Sequence, residues 1–211
     1  MNISGTYLVT QASHSRDRST ERIVAAAIEG GVTAVQLREK HMTARERYSV
    51  GKALRERTRA AGVTFIVNDR ADLAVAVDAD GVHLGDDDLP IAAAREVLGP
   101  DGYIGRSVST VAAATAAERA GADYLGVGAV FATASKDVSA ADAEIGLETV
   151  ADIADAVDVP IVGIGGVTPE NAGEVVAAGA DGVAVISAIT AAEDPVAATR
   201  RLAASVEEAA R

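Results

Sequence analysis

At 211 residues the chain can bury one good core, and its formal net charge of −12 sets up a field that repels polyanions, so nucleic acid and anionic membranes are excluded as partners. It contains no cysteine, which rules out disulfide frameworks and thiolate metal sites. Only Lys40, Lys52 and Lys136 are lysines, against 31 acidic residues, a composition that suits a protein adapted to high salt.

No apolar run approaches the roughly 18 residues of a membrane span, and the opening stretch MNISGTYLVT lacks the basic and apolar regions of a signal peptide. Nothing resembles an interdomain linker. The expectation is one cytoplasmic domain over residues 1–211, with monomer and homo-oligomer both open.

The first short apolar run, GTYLVT, is followed by a helical pattern in STERIVAAAIEGG. The second run, AVQLREKH, begins apolar and ends polar. With a side-chain period of two, Gln36, Arg38 and Lys40 share one face, and Val35, Leu37 and Glu39 share the other. A solvated edge strand and the mouth of a binding site both fit that alternation.

A long helical segment leads to the third strand, TFIVND, and the short helix DLAVAVDA leads to the fourth, GVHLG. Asn68 and Asp69 close the third strand, and Asp86, Asp87 and Asp88 follow the fourth. Carboxylates from neighbouring strands, beside Arg38 and Lys40, form a half-shell of hard oxygens for Mg²⁺, completed by substrate phosphates. A solvated, helix-capping acidic loop is the alternative for the Asp triplet. His83 alternates with Val82 and Leu84, which suits a satisfied structural histidine; His14 and His41 carry no signal.

The fifth strand, YIGRSV, places Ser107 near its end, as a ligand hydroxyl or a capping serine. The sixth, YLGVGAVF, runs into the longest connection, residues 128–146, with Thr133, Ser135 and Lys136 in a segment of small residues suited to folding over a ligand. The seventh, PIVGIGG, ends in Gly165 and Gly166. Thr168 follows as a helix N-cap and Pro169 as the first helical residue, leaving N–H groups for an anion. The eighth, GVAVISAI, adds Ile186 and Ser187.

Eight strands each followed by a helix, with the echoes EGGVTAVQL, DADGVHLG, AGADYLGVG and AGADGVAVIS, specify an α/β fold, a single-domain (β/α)₈ TIM barrel. A doubly wound open sheet is the alternative. A closed barrel has no edge, so it turns the polar end of AVQLREKH toward the mouth.

The motifs VQLREK, VND, GVHLG with its following acid, GRSVS, FATASK, GIGGV and GVAVISAI, in this order along nearly the whole chain, resemble the thiamine-phosphate synthase family. The resemblance implies a transferase that joins 4-amino-2-methyl-5-pyrimidinylmethyl diphosphate to 4-methyl-5-(2-phosphoethyl)thiazole, small phosphorylated substrates, with Mg²⁺. It implies that Gln36 meets the pyrimidine and that Arg38, Lys40, Asn68, Ser107 and Lys136 hold its diphosphate. Arg38, Ser107 and Lys136 are then the groups that act on the leaving group. Asp69 and Asp88 become metal ligands, and Thr133, Ser135, Gly166, Ile186 and Ser187 surround the thiazole phosphate.

Two departures stand out. Ala129 and Ala132 replace prolines of the family's sixth loop, and Ser135 a threonine. Arg106 resembles the related thiazole tautomerases, but Ser109 stands where those place a histidine. A tautomerase-like isomerase and a non-catalytic binder of thiazole or thiamine phosphate are the alternatives on the same scaffold.

Overall fold

The computed structural model of the chain describes residues 3–133 and 144–211. Eight parallel strands close into a barrel in sequence order: β1 Gly5–Val9, β2 Ala34–Leu37, β3 Thr64–Asn68, β4 Gly81–Leu84, β5 Tyr103–Val108, β6 Tyr124–Val127, β7 Ile161–Ile164 and β8 Gly182–Val185. The open-sheet alternative is excluded by the pairing of β1 with β8, where Tyr7 lies opposite Ala184.

Outside the barrel run α1 Thr20–Glu29, α2 Ala44–Ala61, α3 Ala71–Val77, α4 Ile91–Leu98, α5 Val111–Arg119, α6 Gly146–Ala154, α7 Ala172–Ala177, the single turn α8 Ser187–Thr190, and α9 Pro195–Ala209. Their starts follow from local chemistry. Thr43 and Glu46 form a reciprocal capping box at α2, and Asp194 accepts the Ala197 N–H at α9 with Pro195 at its first turn. Among the described residues no helix is long and apolar enough to cross a membrane.

Strand alternation divides the core in two. Leu8, Val35, Phe65, Val82 and Ile104 point outward against the helices, while Tyr7, Val9, Ile66, Tyr124, Val162 and Ala184 fill the barrel interior. Tyr124 occupies room left by Gly105, where a Cβ would overlap its ring.

The internal echoes acquire a physical meaning here. Asp80, Asp123 and Asp181, each just before an even-numbered strand, accept the N–H of Phe65, Ile104 and Ile161 at 2.7, 2.7 and 2.9 Å. Each carboxylate therefore fastens the start of the preceding odd-numbered strand. In the first echo Thr33 does the equivalent, donating its hydroxyl to Thr6 O at 3.0 Å.

Three strands end earlier than their apolar runs. After Val127 the chain leaves β6 and crosses the end of β7, where Val130 N–H donates to Ile164 O at 2.9 Å and Phe131 N–H to Gly165 O at 3.0 Å. Val130 is thus apolar because it is buried in that crossing. Similarly, β7 stops at Ile164, and β8 gives way at Ile186 to α8.

Candidate active site

All eight strands line a cavity of about 270 Å³ that opens at their C-terminal ends, with Val162 and Ile164 of β7 and Ala184 of β8 contributing beside β1 to β6. Gln36, Arg38 and Lys40 all line it, so the alternation in β2 does point three polar side chains into one space. Glu39 takes the opposite face, is 4 % exposed, and accepts the Ala12 N–H at 2.8 Å and the Thr20 hydroxyl at 2.9 Å. That buried carboxylate ties the loop after β1 to the end of β2. Arg38 completes the tie, its N–H donating to Thr10 Oγ1 at 3.1 Å and its guanidinium to Gln11 Oε1 at 3.0 Å.

At the end of β3, Asn68 is buried and Asp69 adopts a left-handed backbone with φ 65°. Its N–H donates to His83 O at 2.8 Å, and Lys40 Nζ stands 3.5 Å from its Oδ2. Burial raises the Asp69 carboxyl above the ordinary range; contact with Asp88 and the Asp88 charge raise it further, while Lys40 offsets part of the rise.

The acidic triplet divides its labour. Asp86 pairs with Arg106 at 2.6 Å, with its own side chain 91 % exposed, and Arg106 also donates to Gly85 O. Asp88 turns the other way, accepting the Gly85 N–H at 2.6 Å and meeting Asp69. Asp87 lines the cavity as well. None of the three caps the following helix, whose N-cap is Pro90 without a side-chain bond; Asp86 and Asp88 instead fasten the loop after β4, and Asp88 also meets Asp69. Arg106 is then a clamp on the loop after β4, a role its position in GRSVS did not reveal.

Two adjoining carboxylates with one lysine between them and solvent fit a divalent cation, which would relieve their mutual repulsion. Among the described residues no three His, Cys, Asp or Glu side chains form a cluster able to hold a metal. An ion here would draw further oxygens from a substrate phosphate, the arrangement Mg²⁺ favours.

The cavity floor is a chain of hydrogen bonds from five strands. Gln36 Nε2 donates to Tyr7 Oη at 3.0 Å, Tyr7 Oη lies 3.1 Å from Tyr124 Oη, Tyr124 Oη 3.0 Å from His83 Nδ1, and His83 Nε2 2.9 Å from Ser107 Oγ. His83 is therefore a satisfied histidine, as the alternation suggested, and also part of the cavity wall. Tyr7 and Tyr124 are fully buried. Burial pushes the Tyr7 hydroxyl up to about 12 and that of Tyr124 well above its usual value. Nothing in GTYLVT or YLGVGAVF distinguishes these tyrosines from core aromatics.

Gly166, Ile186, Ser187 and Thr133 are not among the residues lining this cavity; they follow β6, β7 and β8 in the chain, beyond the lining residues Gly126, Ile164 and Ala184. Gly165 and Gly166 have φ of 103° and 64°, and a Cβ at either would stand 2.6 Å from Ala129 Cβ or Ala132 O. The glycines thus admit the chain crossing from β6, in addition to any ligand. Thr168 does not cap α7, which begins at Ala172. Its N–H donates to Asn171 Oδ1 at 2.7 Å and Asn171 Nδ2 donates to Gly166 O at 3.1 Å, forming a stapled turn that delays the helix by three residues. Ser135 and Lys136 lie outside the described residues.

Residues 6–189 match the family model described as thiamine monophosphate synthase. The chain is 66% identical over 204 residues to a thiamine-phosphate synthase of Haloquadratum walsbyi, covering 97% of this chain and 92% of that one. It is 64% identical to that of Haloarcula marismortui, covering 96% of each. Among solved structures, a thiamine phosphate pyrophosphorylase from Pyrococcus furiosus superposes with a TM-score of 0.91 at 44% identity, over 98% of this chain and 97% of that one.

Proposed function

The chain belongs to the thiamine monophosphate synthase family, and we infer that it catalyses that family's reaction. It is a transferase that condenses 4-amino-2-methyl-5-pyrimidinylmethyl diphosphate with 4-methyl-5-(2-phosphoethyl)thiazole, giving thiamine phosphate and diphosphate. The observation that carries this reading is the convergence of Asp69 and Asp88 with Arg38, Lys40, Asn68 and Ser107 around one cavity. We assign the cytoplasm as the site of the reaction, which suits small, charged, soluble substrates.

Gln36 receives the aminopyrimidine at the cavity floor. Arg38, Lys40, Asn68 and Ser107 hold the diphosphate, with Lys136 added from the FATASK motif. The bond from the pyrimidinylmethyl carbon to the diphosphate oxygen breaks first, and its electron pair leaves with the diphosphate. The aminopyrimidine delocalises the resulting positive charge until the thiazole nitrogen donates its lone pair to the same carbon. Such a reaction asks the protein for charge neutralisation and orientation, which preorganised donors supply without proton transfer to carbon. Asp69 and Asp88 would hold Mg²⁺, which supplies charge neutralisation to the leaving diphosphate. Thr133, Gly166, Ile186 and Ser187 are assigned to the thiazole phosphate, and Ser135 joins them on its motif alone.

Incubation of the purified protein with both substrates and Mg²⁺ tests the assignment. Thiamine phosphate and diphosphate are expected in equal amounts. Isomerisation of a thiazole carboxylate phosphate, or binding without turnover, would replace this reading with a tautomerase or a binder.

A further inference from the structure

The five-residue chain on the cavity floor has a direction. Tyr7 and Tyr124 each carry one hydroxyl proton, and their raised values keep both protonated at neutral pH. Gln36 Nε2 already donates to Tyr7 Oη, so the Tyr7 proton has Tyr124 Oη as its partner. The Tyr124 proton then goes to His83 Nδ1. With Nδ1 accepting, the neutral ring carries its proton on Nε2 and donates to Ser107 Oγ. The Ser107 proton is left over and turns toward the cavity. The reverse direction requires the Gln36 amide to be turned over, so that Oε1 accepts the Tyr7 proton and Nε2 instead faces the substrate.

We propose that Tyr7, Tyr124 and His83 are positioning residues, which couple the orientation of Gln36 at one end of the cavity to the donor orientation of Ser107 at the other. This rests on the synthase reading for what lies at each end. With Gln36 Nε2 committed to Tyr7, its Oε1 is the atom offered to the substrate, and an oxygen acceptor selects the exocyclic amino group of the aminopyrimidine. Recognition of that amino group holds the Gln36 amide in place, and the chain then presents the Ser107 O–H as a donor to the departing diphosphate. A pyrimidine unable to donate at that position loses the contact and removes the hold on the chain. No proton is transferred; the coupling is one of hydrogen-bond direction.

The nitrogen-15 spectrum of the His83 ring decides the direction without any substitution. A proton on Nε2 and a bare Nδ1 are expected, and the opposite tautomer would overturn the proposal. Tyr124→Phe, which deletes one hydroxyl, is expected to lower kcat about tenfold, the scale of one lost hydrogen bond, with KM for the thiazole phosphate within about twofold. On a Ser107→Ala background the same substitution is expected to add no further loss. An undiminished loss on that background would show that the tyrosine acts elsewhere, and overturn the proposal. If the wild-type protein forms no thiamine phosphate, the function assignment fails, while the ring spectrum still decides the direction of the chain.

Discussion

Lys40 Nζ stands 3.5 Å from Asp69 Oδ2 at the cavity mouth, with the two side chains 48% and 26% exposed. One residue is assigned to the diphosphate and the other to the cation, so each ligand would replace part of what the pair gives the other. Asp69→Asn and Asp88→Asn are each expected to lower turnover on the order of 100-fold and to weaken the Mg²⁺ requirement, the scale for removing one preorganised electrostatic group. Rates at titrated Mg²⁺ check this, and an Asp88→Asn enzyme with full rate at low Mg²⁺ would move the ligand role to Asp86 or Asp87.

The same carboxylate makes a prediction about stability. Its folded-state value is raised above 3.8, by burial first and Asp88 second. The folded state therefore holds the Asp69 proton more tightly than the unfolded chain. The stabilisation associated with that proton is complete below 3.8 and is lost as pH rises through the raised value. Asp69→Asn removes that loss, so its melting temperature relative to wild type should climb between pH 4 and pH 7 without Mg²⁺. A constant difference across that window would remove the carboxylate repulsion from the account.

How much of this was visible in the chain depends on the range of the interaction. Gln36, Arg38 and Lys40 were legible because a strand's alternation is local and the fold class gives that face a destination. Asp69 was legible from its place at a strand end, and Asp88 only through the family resemblance, since a run of three aspartates does not say which one turns inward. Tyr7 and Tyr124 were not legible: their hydroxyls meet across 117 residues of sequence, in runs where a tyrosine reads as an apolar side chain. Asn171 and Arg106 escaped for a related reason, since each staples a loop through the contact its side chain makes with a backbone carbonyl. The strand limits failed at β6, where apolar residues continue into a crossing that buries them without strand pairing, and at β8, where they continue into α8.

Gly105 faces the ring of Tyr124, and a Cβ there would overlap ring atoms and the hydroxyl. Gly105→Ala should therefore cost about 1–3 kcal/mol by overpacking, and it should also lower turnover by displacing the Tyr124 hydroxyl from His83. Chemical denaturation and a rate measurement on the same variant check both. Wild-type stability in Gly105→Ala would mean that the barrel interior relaxes around the added methyl.

Alkaline pH addresses the same floor. The Tyr7 hydroxyl, held at about 12 by burial, loses its proton later than in the unfolded chain, where tyrosine titrates near 10. Stability is full below about 10 and falls as pH rises toward 12, by about 1.4 kcal/mol per pH unit for this residue. Tyr7→Phe should flatten that slope, as read by denaturation at several pH values between 9 and 12. An unchanged slope would place the alkaline sensitivity elsewhere.

Charge makes a prediction for the whole surface. With 31 acidic against 19 basic residues, like charges repel within a small fold, and salt screens them over a Debye length of about 10 Å at 0.1 M. The melting temperature should rise from dilute buffer toward molar KCl. A flat profile would leave the acidic composition without a role in stability.

The most discriminating prediction separates two anion sites in one mouth. Arg38 lines the cavity beside β2, whereas Ser187 opens α8 beyond β8 and does not line it. Diphosphate with Mg²⁺ should stabilise the wild-type protein by about 2.7 kcal/mol at 100 times its dissociation constant. Arg38→Ala should reduce that shift and leave the shift from the thiazole phosphate largely intact. Ser187→Ala should do the reverse. Lys136→Ala, assigned from its motif alone, should behave as Arg38→Ala does. Calorimetry with each ligand reads the pattern directly. Equal loss of both ligands in either variant would mean a single shared anion site, and the division of the mouth between β2 to β5 and β6 to β8 would then be wrong even for a working synthase.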